Sequence, residues 1–191
     1  GLKPDAGPVA VTGATGGVGS VAVEILAKLG YHVVAITGKG EEADYLKSIG
    51  AKEVVLRQSL DFTKIRPLDR ATFAGAVDNL GGDILSWLLS VQKVGGTVAA
   101  VGLAAGHKLN TTVMPFILRG VHLLGTDSVN CPMPQRQRIW NKLAVEWRPD
   151  RVHDMVRTID FDELPTHFDA YLKGLVRGRT VVRVAPDSHG G

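Results

Sequence analysis

A single cysteine, Cys131, stands among the 191 residues. It excludes an intrachain disulfide and a cysteine-cluster metal site within them, and beside Pro132 it reads as an ordinary loop thiol. No apolar stretch approaches the ~18 residues that a membrane-crossing helix needs. Nothing resembles a secretory signal, so a cytoplasmic protein without a membrane partner is expected. Low-complexity tracts and internal repeats are absent. His32, His107, His122, His153, His167 and His189 show no close pairing at metal-ligand spacing, and no bound metal is expected. A strong charge of one sign is lacking too, since the formal net charge is +3. The cationic run Arg136, Arg138, Lys142, Arg148 and Arg151 reads as a solvated face, and no nucleic-acid partner is expected.

What is present is ordinary globular composition, 45% hydrophobic and 21% charged. That suffices for one domain with a sizeable core and an appended piece. The chain begins at Gly1 rather than at a methionine, so we expect a piece of a longer chain. Strand and helix patterns alternate. Val9–Gly13, His32–Thr37, Glu53–Leu56, Phe73–Asp78 and Thr97–Val101 are short apolar runs of the buried parallel type. Between them, Val18, Val21, Ala22, Ile25, Leu26 and Leu29 share one helix face, and Glu41–Ile49 and Ile84–Val91 are further helices. Residues 57–72 read as irregular, with Pro67 as a breaker. This alternation predicts an α/β fold: a doubly wound parallel sheet of about six strands with right-handed crossovers. Val121–Gly125 is the sixth strand. Pro134–Trp147 is amphipathic, with Ile139, Trp140, Leu143 and Trp147 on one face, and the tryptophans read as packing residues. A helix over Glu163–Lys173 and a strand at Thr180–Val184 follow. That last strand finds no partner among the first five, which hints at a second domain whose other half is absent. We expect a boundary near residue 150, with residues 1–150 as the main domain and 151–191 as an appended segment.

The most informative stretch is Val11-Thr12-Gly13-Ala14-Thr15-Gly16-Gly17-Val18-Gly19, between the first strand and the first helix. A glycine turn there lets backbone approach a pyrophosphate, and the helix start adds free N–H groups and a positive dipole end. With a second strand at the right distance, it reads as a dinucleotide site. A further absence narrows the ligand. NAD sites usually end the second strand with Asp or Glu, which binds the ribose diol and repels a 2′-phosphate. Here the chain reads Ala35-Ile36-Thr37-Gly38-Lys39, with a hydroxyl, a free N–H and a cation suited to a phosphate. NADP(H) is therefore expected over NAD(H).

The glycine pattern also fits short-chain dehydrogenases, which need a tyrosine with a lysine four residues later. Tyr31, Tyr45 and Tyr171 are followed at that distance by Ala35, Ile49 and Leu175, so that family is rejected. From Gly13 to Val184 the chain instead resembles the medium-chain dehydrogenase/reductases, in their zinc-free quinone-oxidoreductase branch. The resemblance is nearest to the NADPH-dependent acrylyl-CoA reductases. It rests on the glycine turn, Thr37-Gly38-Lys39, Tyr45-Leu46-Lys47 before Gly50-Ala51, Arg66-Pro67-Leu68, Ala74–Asp78, Val101–Ala104, Thr111–Arg119, Gly125–Val129 and Gly178-Arg179-Thr180. The run Met114–Arg119 is the most specific.

The resemblance implies that Thr15, Gly16, Gly17 and Val18 contact the pyrophosphate and that Thr37 and Lys39 hold the 2′-phosphate. Asn79, Leu80, Gly102, Leu103 and Ala104 would line the adenosine and nicotinamide sides. Arg179 would reach the cofactor from the C-terminal segment or, equally, form a plain surface salt bridge. The implied chemistry is hydride transfer to an α,β-unsaturated thioester, with quinone or enone reduction, zinc alcohol dehydrogenase chemistry or non-catalytic NADP binding as alternatives. The substrate-handling groups would lie mostly in an N-terminal GroES-like domain absent from this chain, so no catalytic residue is named and inactivity of the chain alone is expected. A homodimer joined through Val121–Leu124 is also implied.

Overall fold

A computed structural model describes residues 1–184; His189 and the end of the C-terminal segment lie outside them. Strands β1 (Val9–Thr12), β2 (Val33–Thr37), β3 (Glu53–Leu56), β4 (Phe73–Asp78), β5 (Gln92–Ala100) and β6 (His122–Gly125) form one sheet in the order β3-β2-β1-β4-β5-β6. Every neighbouring pair is parallel. All residues of β1 and β2 are buried, as expected for strands covered on both faces. The side-chain alternation of a strand splits them between two cores. Ala10, Val34 and Ile36 face Ile84, Leu85, Leu88 and Leu89 of α3 (Gly82–Ser90). Val11, Val33 and Ala35 face Val23 of α1 (Gly17–Lys28) and Leu46 of α2 (Ala43–Ser48). This is the expected doubly wound α/β architecture.

Several boundaries differ from the reading of the sequence. β5 begins at Gln92 rather than Thr97, because Gly95-Gly96 lies inside the strand, whose pairing with β4 skips between Phe73 and Gly75. The second helical segment is a 3-10 turn, Gly40–Glu42, running into a shorter α2. The deeply buried side of α1 is Gly19, Ser20, Val23 and Glu24, while Val18 is 43% exposed. The stripe is rotated because α1 is covered by residues 148–155 as well as by the sheet. Lys28 Nζ donates to Arg148 O (2.8 Å) and pairs with Asp150 (3.0 Å), and Glu24 Oε1 accepts the Arg151 N–H (2.8 Å).

The Met114–Arg119 run forms α4 (Met114–Arg119). Its Arg119 donates to the carbonyls of Asp69, Ser90 and Gln92, tying the end of α3 to the irregular segment before β4. Helix α5 (Met133–Ala144) has no buried residue, and Trp140 is 62% exposed. The packing role expected of Trp140 is thus not met within the described residues. Trp87 does pack, edge-on to Phe62 and Phe73. After α5 the chain forms β7 (Val156–Asp160), α6 (Leu164–Leu172) and β8 (Arg179–Arg183). β7 is absent from the sequence reading, and it supplies the partner of the last strand in a separate two-stranded parallel sheet.

Candidate functional site

The strand order reverses between β1 and β4, and a crevice at the carboxyl ends of such strands is where open α/β sheets take ligands. The glycine turn sits there. Gly16 caps α1 and no side chain bonds the first-turn N–H groups. A Cβ at Gly19 would collide with the Gly13 carbonyl and stand 2.8 Å from Ala14 Cα. Only glycine lets the helix pack so closely on the turn. At Gly17 the obstruction comes from the far end of the chain: a Cβ would lie 2.5 Å from Cδ and 2.8 Å from Cζ of Arg179. Arg179 forms no ion pair among the described residues, so the surface salt bridge considered for it is not found there. A cation over the first turn of a helix opposes the helix dipole. An anion seated between the two would relieve that opposition, which is how a pyrophosphate would fit.

The approach of Arg179 is built by long-range contacts. Gly178 N donates to Thr15 O (2.8 Å), and Gly178 bridges to Gly16 as in a parallel ladder. One residue earlier, Arg177 pairs with Glu42 (2.9 Å) and lies 4.4 Å from the centre of the Tyr45 ring. Lys39 Nζ donates to Val176 O (2.5 Å), while its N–H bonds Thr37 Oγ1 (3.0 Å). Burial lowers the Lys39 pKa from its ordinary value; Glu42 and Glu41 raise it, and Arg177 lowers it further. Burial raises the Tyr45 phenol above its ordinary value, so it is neutral at physiological pH.

On the other side of the turn, a buried polar knot fixes the ends of β1, β4 and β5. Thr12 Oγ1 donates to Asp78 Oδ1 (2.6 Å), and both residues are fully buried. Asp78 Oδ2 accepts the Gly81 N–H (2.8 Å), and the Asp78 carbonyl accepts the Val101 N–H (2.8 Å). Asn79 donates its N–H to Thr12 Oγ1 (3.0 Å) and its side-chain amide to Thr12 O (2.7 Å). Its side chain thus braces two strands. Leu80 packs beside Gly13, and Gly102 presses on Asn79. Leu103 is 66% exposed and Ala104 is exposed at the rim.

The structure therefore gathers Thr15–Val18, Thr37, Lys39 and Arg179 on one side of the turn and Asn79, Leu80 and Gly102 on the other. Arg177, Tyr45 and Asp78 were missed as site residues. Tyr45 and Asp78 stood in the runs that carry the resemblance, while Arg177 had no local signal. Among the described residues no three His, Cys, Asp or Glu side chains come together to hold a metal ion. His32 pairs with Glu53 (2.7 Å), and His167 shares a hydrogen bond with Thr180 (2.6 Å).

The sheet order, the reversal point and the glycine turn define a Rossmann-type dinucleotide-binding unit. The zinc-binding dehydrogenase family model matches residues 17–146; the chain belongs to that family, within the medium-chain dehydrogenase/reductases. It is 50% identical over 184 residues to acrylyl-CoA reductase AcuI of Ruegeria pomeroyi, covering 96% of this chain and 56% of that protein. It is 45% identical over 185 residues to the putative quinone oxidoreductase YhfP of Bacillus subtilis, with the same coverage. The crystal structure of Escherichia coli K-12 YhdH with bound NADPH superposes with a TM-score of 0.90 at 43% identity, over 96% of this chain and 56% of that one. B. subtilis YhfP with NAD bound gives 0.89 at 45%, over the same shares. The chain thus spans about half the length of these relatives. Their family name carries zinc, but the described side chains do not fit a zinc centre.

Proposed function

We propose that this chain is the NADPH-binding part of an oxidoreductase that reduces the C=C bond of an α,β-unsaturated thioester of the acrylyl-CoA kind. The observation that carries the reading is Arg179 poised over Gly17 at the start of α1, which no side chain caps, together with a β2 end that offers Thr37 and Lys39 and no acid. When bound, the cofactor supplies the hydride. The chain's own residues do the holding. The first turn of α1 and Arg179 take the pyrophosphate, Thr37 and Lys39 take the 2′-phosphate, and Leu80, Gly102, Leu103 and Ala104 flank the cofactor. Asn79 supports the crevice floor. A boundary after residue 150 remains our proposal, with both parts contributing to the site.

The test is isothermal titration of the 191-residue chain with NADPH and NADH. NADPH should bind more tightly, and Lys39→Glu should remove that preference by placing an anion beside the 2′-phosphate. Equal affinity for the two cofactors in the unsubstituted chain would sink the assignment. Acryloyl-CoA-dependent NADPH oxidation is expected only from a chain that also carries the rest of the relatives' length. The likeness to YhfP favours quinone or enone reduction as the second reading, and the same assay with quinones separates the two. We further propose a homodimer joined through the unpaired edge of β6 and a cytoplasmic location. No helix of the described residues is long and apolar enough to cross a membrane.

A further inference from the structure

Two cations meet beyond the end of β2, and only one of them belongs to the β2 segment. The Lys39 ammonium is tied to Val176 O at 2.5 Å, so the residue after Val176 is held beside it. That residue is Arg177, and its charge contributes to lowering the Lys39 pKa. Its guanidinium lies over the Tyr45 ring at 4.4 Å and pairs with Glu42 at 2.9 Å. The ring and the carboxylate together hold the guanidinium in place. An Arg fork held in this way suits the oxygens of a phosphate monoester better than a lysine does.

We propose that Arg177 is a specificity-determining residue that clamps the 2′-phosphate of NADPH together with Lys39. Glu42 is its counter-ion until the phosphate takes over that role. The inference rests on the NADPH reading above and deepens it. Lys39 supplies a point charge from one side. Arg177 supplies a planar pair of donors from the other, carried in by the C-terminal segment. NADH has no group there, so it gains nothing from either cation, and Arg177 keeps its pairing with Glu42. Glu42, in turn, opposes the phosphate by like charge while competing for the guanidinium.

The experiment is titration of the full chain and its variants Arg177→Ala, Arg177→Lys and Glu42→Gln with NADPH and NADH at low and moderate salt. Arg177→Ala should weaken NADPH binding roughly ten- to hundredfold, the scale of a lost charge-assisted contact, and change NADH binding less than about twofold. Arg177→Lys should recover only part of the loss, because it restores charge without the fork. Glu42→Gln should tighten NADPH by a few fold and leave NADH unchanged. The salt dependence of NADPH binding should also become shallower in Arg177→Ala. Equal weakening of both cofactors in Arg177→Ala would overturn the proposal and reduce Arg177 to a clip for the segment. No change for either cofactor would overturn it as well. If Arg177→Ala fails to fold, Glu42→Gln decides by itself: an NADPH affinity that is unchanged or weaker refutes the competition. A wild-type chain that binds neither cofactor would remove the NADPH reading and this inference together. A wild type that prefers NADPH, with non-selective variants, removes this inference alone.

Discussion

Replacing Asp78 by alanine should cost about 3–5 kcal/mol of stability. The carboxylate is fully buried between β1 and β4 and accepts from Thr12 Oγ1 at 2.6 Å and from the Gly81 N–H at 2.8 Å. Alanine leaves these two close donors, and the longer contact from the Leu80 N–H at 3.4 Å, without their acceptor. A buried donor left unpaired costs about 1–3 kcal/mol, and the two close ones set the scale. The vacated carboxylate volume adds a packing loss, while removing a buried charge returns part of the total. Asp78→Asn keeps the shape and one acceptor but turns an N–H2 group toward one of the two donors. It should cost less, about 1–3 kcal/mol. The assay is urea unfolding followed by tryptophan fluorescence. With a slope of about 2 kcal/mol/M, the alanine variant's midpoint should fall by about 1.5–2.5 M. Thr12→Val removes the partner hydroxyl isosterically. Combined with Asp78→Asn, it should cost less than the sum of the two single changes, because one hydrogen bond is broken in both. A midpoint shift below about 0.5 M for Asp78→Ala, or strict additivity of the pair, would show that the knot does not hold the strand ends together.

The two close-approach glycines should part company. Gly19→Ala drives a methyl into the Gly13 backbone and should destabilise by about 2–4 kcal/mol in the same unfolding assay. Gly17→Ala first meets the movable end of Arg179, so it should leave stability within about 0.5 kcal/mol while weakening NADPH and NADH alike in titration; unaltered binding would discredit the pyrophosphate cradle. The pH dependence of cofactor choice follows from Lys39. Burial lowers its pKa, so the charge proposed to hold the 2′-phosphate is lost at a lower pH than from an ordinary lysine. The ratio of NADPH to NADH affinity should therefore fall as the pH is raised from 7 toward 10, and a flat ratio would contradict the role given to Lys39. Among the described residues β6 has a neighbour on one side only, and its Leu124 is 53% exposed. Light scattering on a sizing column should give a dimer that Leu124→Lys dissociates; a monomeric wild type removes the proposed interface.

The parts of the fold that were legible in the sequence are those whose signal is local. β1 and β2 are buried from end to end, so each reads as an unbroken apolar run that a glycine terminates. β7 was not legible. In Val156-Arg157-Thr158-Ile159-Asp160 only Ile159 is buried, and polar residues alternate through a strand whose partner lies some twenty positions on. The site divides in the same way. Thr15 to Val18 and Thr37 to Lys39 follow directly from strand ends and a turn, which are features of adjacent residues. Arg177 and Asp78 act through partners far away in sequence, Glu42 and Thr12. The bridge of Gly178 to Gly16, and the pairing of β1 with β4, bring them to those partners.

That division bears on how the cofactor site is assembled. Helix α1 grips the C-terminal segment along its flank and receives it again at its start. Lys28 and Glu24 hold residues 148–151. Met155, only 3% exposed, enters the core beside Val11 and Val23. β7 then leads to α6, and β8 returns the chain so that Gly178 packs on Met155 and its N–H bonds Thr15. The sheet could be built without residues 151–184 except for the volume that Met155 fills. The cations that would meet the pyrophosphate and the 2′-phosphate could not, apart from Lys39. On the proposed assignment, affinity for NADPH is coupled to the seating of a segment whose other anchors lie along the flank of α1. Met155→Ala keeps the backbone on which Gly178 packs but removes the side chain that seats this segment in the core. It should weaken cofactor binding through Arg177 and Arg179 although Met155 touches no ligand atom.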